Sequence, residues 1–292
     1  MQLININQVK NRISKRLVSN MVFKWIFVLG TSLALLALAV LLVRITMQGA
    51  GSLDWNFMTS YASRRAEDAG IKSAFVGTIW LMAVTAPIAF VLGVGTAIYL
   101  EEYSKKGRFT SFIQMNIANL AGVPSIVFGL LGLTIFVREL GMGRSVLAGG
   151  LTMSLLILPI IVVASQEAIR SVPTQLREAS FAMGSTKWQT IVRIVIPSAL
   201  PGILTGNILA LSRAVGETAP LIMIGALTYI AFLPENVFSQ FTVMPIQIFN
   251  WTGRPQDAFQ AVAAAGIIVL MIMLIFMNSL AVFIRNKFTK RY

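Results

Sequence analysis

The sequence predicts an all-α polytopic membrane protein with six transmembrane helices, and three observations support this prediction. The 292 residues are 56% hydrophobic and 12% charged, with a mean hydropathy of +0.77, whereas about a quarter of the residues in a soluble domain are charged. Six apolar stretches are each long enough to cross a hydrocarbon core of about 30 Å as a helix. The 24 Lys and Arg residues gather in short segments between these stretches, as they do in membrane proteins.

The apolar stretches account for most of the chain. They run over residues 25–43, 73–100, 109–137, 145–166, 197–233 and 259–284. Basic residues precede the first stretch, as in a secretory signal, but its polar lead and its apolar run are both too long for one, so we interpret it as a retained helix. Gly122 and Pro124 predict a weakened or broken helix in the third stretch. Pro87, Pro159 and Pro220 predict kinks in the second, fourth and fifth stretches, more simply for packing than for function.

The distribution of Lys and Arg predicts the orientation of the helices. Basic residues are more numerous in the N-terminal segment, the second and fourth connections and the tail than in the other connections. The positive-inside rule therefore places both termini in the cytoplasm. Four segments are expected: a cytoplasmic N-terminal segment (1–24), a first transmembrane helix with an outward loop (25–70), a core that contains a cytoplasmic loop at 166–197 (71–284), and a cytoplasmic tail (285–292).

The fourth connection predicts a helical hairpin outside the membrane. Pro173 suits the first position of a helix over residues 174–183, and Gly184 suits a left-handed stop after it. Thr186 and Gln189 have the spacing of a capping box at the start of a second helix.

This second helix is expected to be amphipathic and to end at Pro197. Its apolar residues recur at helical intervals: Trp188, Ile191, Val192 and Val195. Such a hairpin predicts a surface that receives another protein. The alternative interpretation is an interfacial helix that rests on the membrane lipid.

The residues of the hairpin also carry a family resemblance. The matching positions are Glu178, Ala179, Ser180, Gly184, Ile194, Ile196 and Pro197. In type and spacing they resemble the EAA loop of the permease subunits of ABC importers, with Ser180 in place of Ala and Ile196 in place of Leu. The resemblance implies the type I importer permease fold, with a loop that docks in a groove of a separate ATPase subunit and passes its motion to the membrane helices.

Two further stretches, residues 119–129 and 212–221, look like signature stretches of the permeases of the phosphate-specific importer. The run Glu217-Thr-Ala-Pro220 is similar to the A-type chain of that system's two paralogous permeases. The resemblance covers about residues 70–285. It implies phosphate as substrate, a heterodimer with the second permease chain, an ATPase dimer that binds ATP and Mg²⁺, a substrate-binding protein on the outer face, and a place in the bacterial inner membrane.

Arg213 and Glu217 are the only charges inside an apolar stretch. A charge at the membrane centre costs about 2.5 to 3.5 kcal/mol even on insertion scales. Their spacing of four residues places both on one helical face, where they can neutralise each other. They are either a structural ion pair or a substrate site. In a site, Arg213 would offer its planar donor fork to phosphate oxygens while Glu217 holds or releases the guanidinium.

Composition and motifs exclude several classes of function. The chain has no Cys and no His, so thiolate chemistry, His catalysis and His metal sites are excluded. The run Gly184-Ser-Thr-Lys187 lacks Walker A spacing, so no ATP or other cofactor is expected in this chain. The basic residues do not share one polar face, which argues against nucleic acid. Glu101 and Glu102, beside Lys105, Lys106 and Arg108, are interpreted as a solvated loop.

The sequence therefore leaves three functions open. The first is a permease subunit of an ATP-driven phosphate importer, which is not itself an enzyme. The second is a permease of the same architecture for another oxyanion or small solute, against which the Arg213 stretch argues. The third is a channel or ion-coupled carrier without an ATPase, against which the hairpin argues; the chain also shows no convincing internal repeat of the kind many carriers have.

Overall fold

The computed structural model describes residues 6–105, 107–226 and 229–288, and side chains from Arg16 to Lys287 within these ranges. Lys106, Lys290 and Arg291, which entered the orientation argument, lie outside the described residues. The described residues form the following helices: α1 (Ile6–Gly49), α2 (Trp55–Thr59), α3 (Lys72–Ile98), α4 (Arg108–Leu120), α5 (Ser125–Gly132), α6 (Val146–Arg170), α7 (Thr174–Ala182), α8 (Lys187–Thr190), α9 (Ile196–Gly216), α10 (Ala219–Ile224), α11 (Met244–Thr252) and α12 (Asp257–Phe288). Three π-helical turns continue α3, α5 and α8: Tyr99–Tyr103, Leu133–Glu139 and Ile191–Val195.

The described helices supply up to six membrane spans. Five segments are long and apolar enough to cross a bilayer, and they contain α1, α3, α6, α8 with α9, and α12. The third predicted span is a bent pair, Arg108–Leu120 and Ser125–Glu139, whose axes differ by 101°. The bend lies at Gly122 and Pro124, as the sequence predicted. The polytopic all-α fold is therefore confirmed, with the third predicted span sharply bent.

The fifth span differs from its prediction at both ends. It does not run to residue 233, because α9 ends at Gly216 and the backbone of Glu217 is extended. Pro220 lacks the N–H that would donate to the Gly216 carbonyl, which favours a break here, and α10 starts separately. Nor does Pro197 end the hairpin's second helix. The π-helical turn Ile191–Val195 precedes Pro197 and lets one helical segment run from Lys187 to Gly216.

The core is built where α3, α6 and α9 pack together, and small residues allow their close approach. A Cβ on Gly206 would lie 2.8 Å or less from the Ala164 side chain, and Gly202 faces Ala168 in the same way. Small residues at such crossings are typical of membrane helices. Pro87 and Pro159 lie inside α3 and α6 without dividing either helix.

The first helix is the least enclosed element. Its most apolar 18-residue window has no buried residue, and α1 contacts α12 near its end, where Gly49 lies against the backbone of Ala264 and Ala265. A long apolar helix with so little protein cover has lipid or another chain as its surroundings. Buried apolar side chains, by contrast, begin at Phe57 on α2.

Candidate functional site

The charged pair inside the fifth predicted span forms one direct contact. Arg213 Nε donates to Oε1 of Glu217 across 3.2 Å. Arg213 lies in the last turn of α9, and Glu217 is the residue that follows the helix. The pair therefore spans the end of a helix rather than one continuous helical face. A cation in the last turn also complements the negative end of the helix dipole.

The two members of the pair differ in exposure. The Arg213 side chain is 52% exposed and the Glu217 side chain 19%. Within the described part of the chain, Glu217 is the one hydrogen-bond partner of the guanidinium. The two Nη groups of Arg213 can therefore donate to a planar or tetrahedral oxyanion, since a guanidinium carries five N–H donors and Nε uses one of them.

Residues 119–129 and residues 212–221, the two stretches that resemble phosphate permeases, lie in contact in the fold. Helix α5 from the first stretch packs on α10, which begins within the second. A Cβ on Gly129 would lie 2.7 Å from Cα of Pro220, so the backbones touch at these residues. Two interrupted spans thus lie side by side. Interrupted helices in transport proteins occur where the freed backbone faces protein or a polar cavity.

Much of the surface near these elements is uncovered. Helix α4 has no buried residue. On α5, Ile126, Leu130 and Leu131 are exposed. An apolar face of this extent needs lipid or a second protein chain against it.

The part of the chain that the structure describes contains no cluster of three or more acidic residues that could hold a metal ion.

The hairpin forms largely as the sequence predicted. Gly184 adopts a left-handed conformation with φ +79°. The capping box is confirmed, since Gln189 N–H donates to Thr186 Oγ1 and Thr186 N–H donates to Gln189 Oε1. Pro173 precedes the first helix by one residue instead of occupying its first position. The hydroxyls of Ser180 and Thr190 lie 2.9 Å apart and join the two helices.

The predicted apolar face of the second helix divides into two. Ile191 and Val195 are buried against the core, whereas Trp188 and Val192 are exposed. Residues 188 and 192 form one stripe and 191 and 195 another, because residues four apart lie nearly above one another on a helix. The exposed stripe extends onto the first helix and the turn through Phe181 and Met183, and the Met183 side chain is 86% exposed.

The residues matched to the EAA loop occupy several environments in this hairpin. Glu178, Ala179, Gly184 and Pro197 are exposed, and Ser180, Ile194 and Ile196 are partly buried. Of the partly buried members, Ser180 joins the two helices through its contact with Thr190.

The interpretation of Glu101 and Glu102 as a solvated loop is wrong. Both lie on the π-helical turn that ends α3, and their side chains are only 14% and 12% exposed. Glu101 pairs with Arg170 at 2.6 Å and Glu102 with Arg177 at 3.1 Å. The partners are 69 and 75 residues away, so no local pattern could reveal the pairs.

The fold and the hairpin together define a class of protein. Up to six apolar spans, one of them sharply bent, together with a hairpin that exposes apolar residues, define a multi-pass membrane protein. A family model described as the binding-protein-dependent transport system inner membrane component matches residues 89–290. The chain belongs to this family.

Known relatives and a solved structure agree with this assignment. The chain is 34% identical over 247 residues to the probable ABC transporter permease protein YqgI of Bacillus subtilis, covering 80% of this chain and 84% of YqgI. It is 39% identical over 224 residues to the phosphate transport system permease protein PstA 1 of Mycobacterium tuberculosis, covering 76% and 72%. A bacterial alginate ABC transporter in complex with its periplasmic protein has the same fold, with a TM-score of 0.67, 17% identity, and 96% and 98% coverage. The fold is that of a type I ABC importer permease, and family membership implies partnership with an ATPase and a substrate-binding protein.

Proposed function

We propose that this chain is the A-type permease subunit of an ATP-driven inorganic phosphate importer. The observation that carries the proposal is the half-exposed guanidinium of Arg213, which Glu217 holds through Nε alone. An arginine that is held in place with two Nη groups available suits a phosphate oxygen pair. The phosphate permease among the relatives supports the choice of anion.

The pair can bind an anion and still release it. A guanidinium does not lose its proton in proteins, so an arginine fork remains available to an oxyanion. Glu217 competes for the same guanidinium, which weakens the hold on the anion and lets it leave. Arg213 is therefore the substrate-pathway residue that binds phosphate. Glu217 is the pathway residue that weakens this binding so that phosphate can leave.

The hairpin is the proposed contact with the ATPase. Its exposed surface contains Glu178 and Ala179 beside the apolar side chains of Phe181, Met183 and Trp188. The turn at Gly184 and the hydroxyl contact of Ser180 keep the hairpin in shape. The stretch containing Ile194, Ile196 and Pro197 continues directly into α9. A displacement of the hairpin is therefore transmitted to the helix that carries Arg213.

The remaining components of the system follow from the same proposal. A second, paralogous permease chain would cover the exposed faces of α4 and α5 and complete the pathway as a heterodimer. An ATPase dimer would bind ATP and Mg²⁺, which this chain does not. A substrate-binding protein would deliver phosphate to the outer face. The four segments named above are retained, with both termini on the cytoplasmic side of a bacterial inner membrane.

Two alternatives differ in their expected behaviour. A permease for another oxyanion or small solute would keep the hairpin and its ATPase but would not depend on Arg213 for phosphate. A channel or ion-coupled carrier would need no ATPase, and its hairpin would rest on lipid. The continuous helix from the hairpin to Arg213 favours an ATP-driven mechanism over the second alternative.

The deciding experiment is uptake of labelled phosphate into vesicles that contain the chain with its partner subunits, with sulfate as competitor. Arg213→Gln should abolish uptake while the complex still assembles. Arg44→Gln removes another exposed arginine, from α1, and should leave uptake unchanged. Near-normal uptake by Arg213→Gln would remove the pathway assignment. A complex that hydrolyses ATP but moves no phosphate would keep the docking role and reject the substrate.

A further inference from the structure

Three consecutive residues at the end of α3 hold three different elements. They lie on the π-helical turn Tyr99–Tyr103. Glu101 pairs with Arg170 at the end of α6, and Glu102 pairs with Arg177 on α7. The ring of Tyr103 lies 4.9 Å from Nζ of Lys187 on α8, within cation–π range. We call residues 101–103 the α3 clamp.

The contact with α6 is geometrically tight. Arg170 donates from Nε to Oε2 of Glu101 at 2.9 Å and from Nη2 to Oε1 at 2.6 Å. Gln166 Nε2 donates to the same carboxylate at 2.8 Å. A bidentate arginine fork with a further amide donor fixes the carboxylate in both position and orientation. The ends of α3 and α6 are therefore joined.

The contact with α7 is the most enclosed of the three. Nε and Nη2 of Arg177 both donate to Oε1 of Glu102, and the two side chains are 19% and 12% exposed. The same guanidinium donates to the carbonyl oxygens of Val172 and Ile169, at 2.6 Å and 2.9 Å. These carbonyls belong to the end of α6 and the turn after it, where a helix leaves its last acceptors unpaired. Arg177 thus ties the hairpin to both α3 and α6.

We propose that Glu101 and Glu102 are positioning residues that make the hairpin move as one unit with the second span. The covalent chain joins the hairpin only to α6 and α9; the α3 clamp adds the missing connection to α3. Because α3, α6 and α9 form the packed core, a displacement of the hairpin then moves the whole core rather than one helix. This proposal rests on the proposed function, in which an ATPase displaces the hairpin.

The chain itself offers a matched control. Glu167 also pairs with Arg170, at 2.9 Å, but it lies on α6 three residues earlier and its side chain is 66% exposed. Glu167→Gln removes the same charge from the same neighbourhood without disconnecting two elements. Glu102→Gln removes the link between α3 and α7. The double variant Glu102→Gln with Arg177→Gln removes that link without leaving a mostly buried charge unpaired, and it also removes the Arg177 donors to the Val172 and Ile169 carbonyls.

The first test needs no substrate or partner. The chain has no cysteine, so spin labels can be attached to Met183→Cys on the hairpin and Val91→Cys on α3, both exposed positions. The distribution of distances between the two spin labels, measured by pulsed electron paramagnetic resonance, should be narrow in the doubly labelled parent and in Glu167→Gln. They should broaden in Glu102→Gln and in the double variant. Equal widths in all four proteins would overturn the proposal.

The second test measures coupling in the assembled transporter as phosphate moved per ATP hydrolysed. This ratio should fall by at least about threefold in Glu102→Gln and in the double variant, with assembly and the Glu167→Gln ratio unchanged. If uptake and hydrolysis fall in proportion, so that the ratio is constant, Glu102 has a merely structural role and the proposal is wrong. If the parent complex moves no phosphate, the proposed function fails, and the spin-label distances still decide whether the α3 clamp exists.

Discussion

Trp188 and Arg213 lie on one helical segment, Lys187–Gly216, which runs from the exposed hairpin to the ion pair with Glu217. With a rise of about 1.5 Å per residue, they lie about 37 Å apart along its axis. The proposed docking surface and the candidate anion site therefore share one element. The consequences can be tested at each end of this helix and at the contacts that hold it.

Arg213→Lys keeps the charge but replaces the planar fork with a single ammonium group. An ammonium cannot donate two parallel hydrogen bonds to a pair of phosphate oxygens. We expect the KM for phosphate to rise by about tenfold, which corresponds to roughly 1.4 kcal/mol, the loss of one charge-assisted hydrogen bond. Uptake kinetics in vesicles measure this. Arg44→Lys, the matched change on α1, should leave KM unchanged, and an unchanged KM in Arg213→Lys would show that the fork is not used.

Glu217→Gln removes the carboxylate that competes for Arg213. Phosphate should then be held more tightly and released more slowly, so KM and maximal uptake rate should both fall. Initial-rate uptake over a range of phosphate concentrations separates the two parameters. A higher KM with an unchanged maximal rate would contradict the role given to Glu217, because it would mean that the carboxylate assists binding.

Gly184→Ala tests the turn of the hairpin. Gly184 has φ +79°, a conformation that costs a residue with a Cβ about 1 to 2 kcal/mol, although nothing lies within 4 Å of the added atom. The variant should weaken association with the ATPase by about fivefold or more, measured by titration of the purified subunits. Gly95→Ala makes the same change inside α3, where the added Cβ also meets nothing within 4 Å, and association should be unaffected. Equal affinities for all three proteins would show that the turn does not shape the docking surface.

Gly129→Ala tests the contact between the two interrupted spans. Its Cβ would lie 2.7 Å from Cα of Pro220, a backbone atom that cannot move aside by a rotamer change. We expect a loss of about 1 to 3 kcal/mol in stability, the usual cost of overpacking, and reduced uptake. Thermal unfolding in detergent should show a lower midpoint than for Gly30→Ala on α1, where the added Cβ meets nothing. A midpoint equal to that of the control would show that α5 and α10 can separate freely.

Local chemistry explains what could be predicted from the sequence. The turn at Gly184, the capping box of Thr186 and Gln189, and the break near Pro124 each depend on residues within a few positions. Apolar stretches long enough for a bilayer predicted the spans for a similar reason, since each helix satisfies its own backbone. Arg213 and Glu217 could be paired because four residues separate them.

The sequence by itself thus determined a polytopic helical chain, a helical hairpin with a glycine turn, and a charged pair within an apolar stretch. Only the tertiary structure decided where the fifth span ends, which hairpin side chains are exposed, and that Glu101 and Glu102 meet Arg170 and Arg177. The physical reason is distance along the chain. A proline's missing donor acts within one helical turn, whereas an ion pair between residues some 70 positions apart exists only after α3 and α6 have packed together.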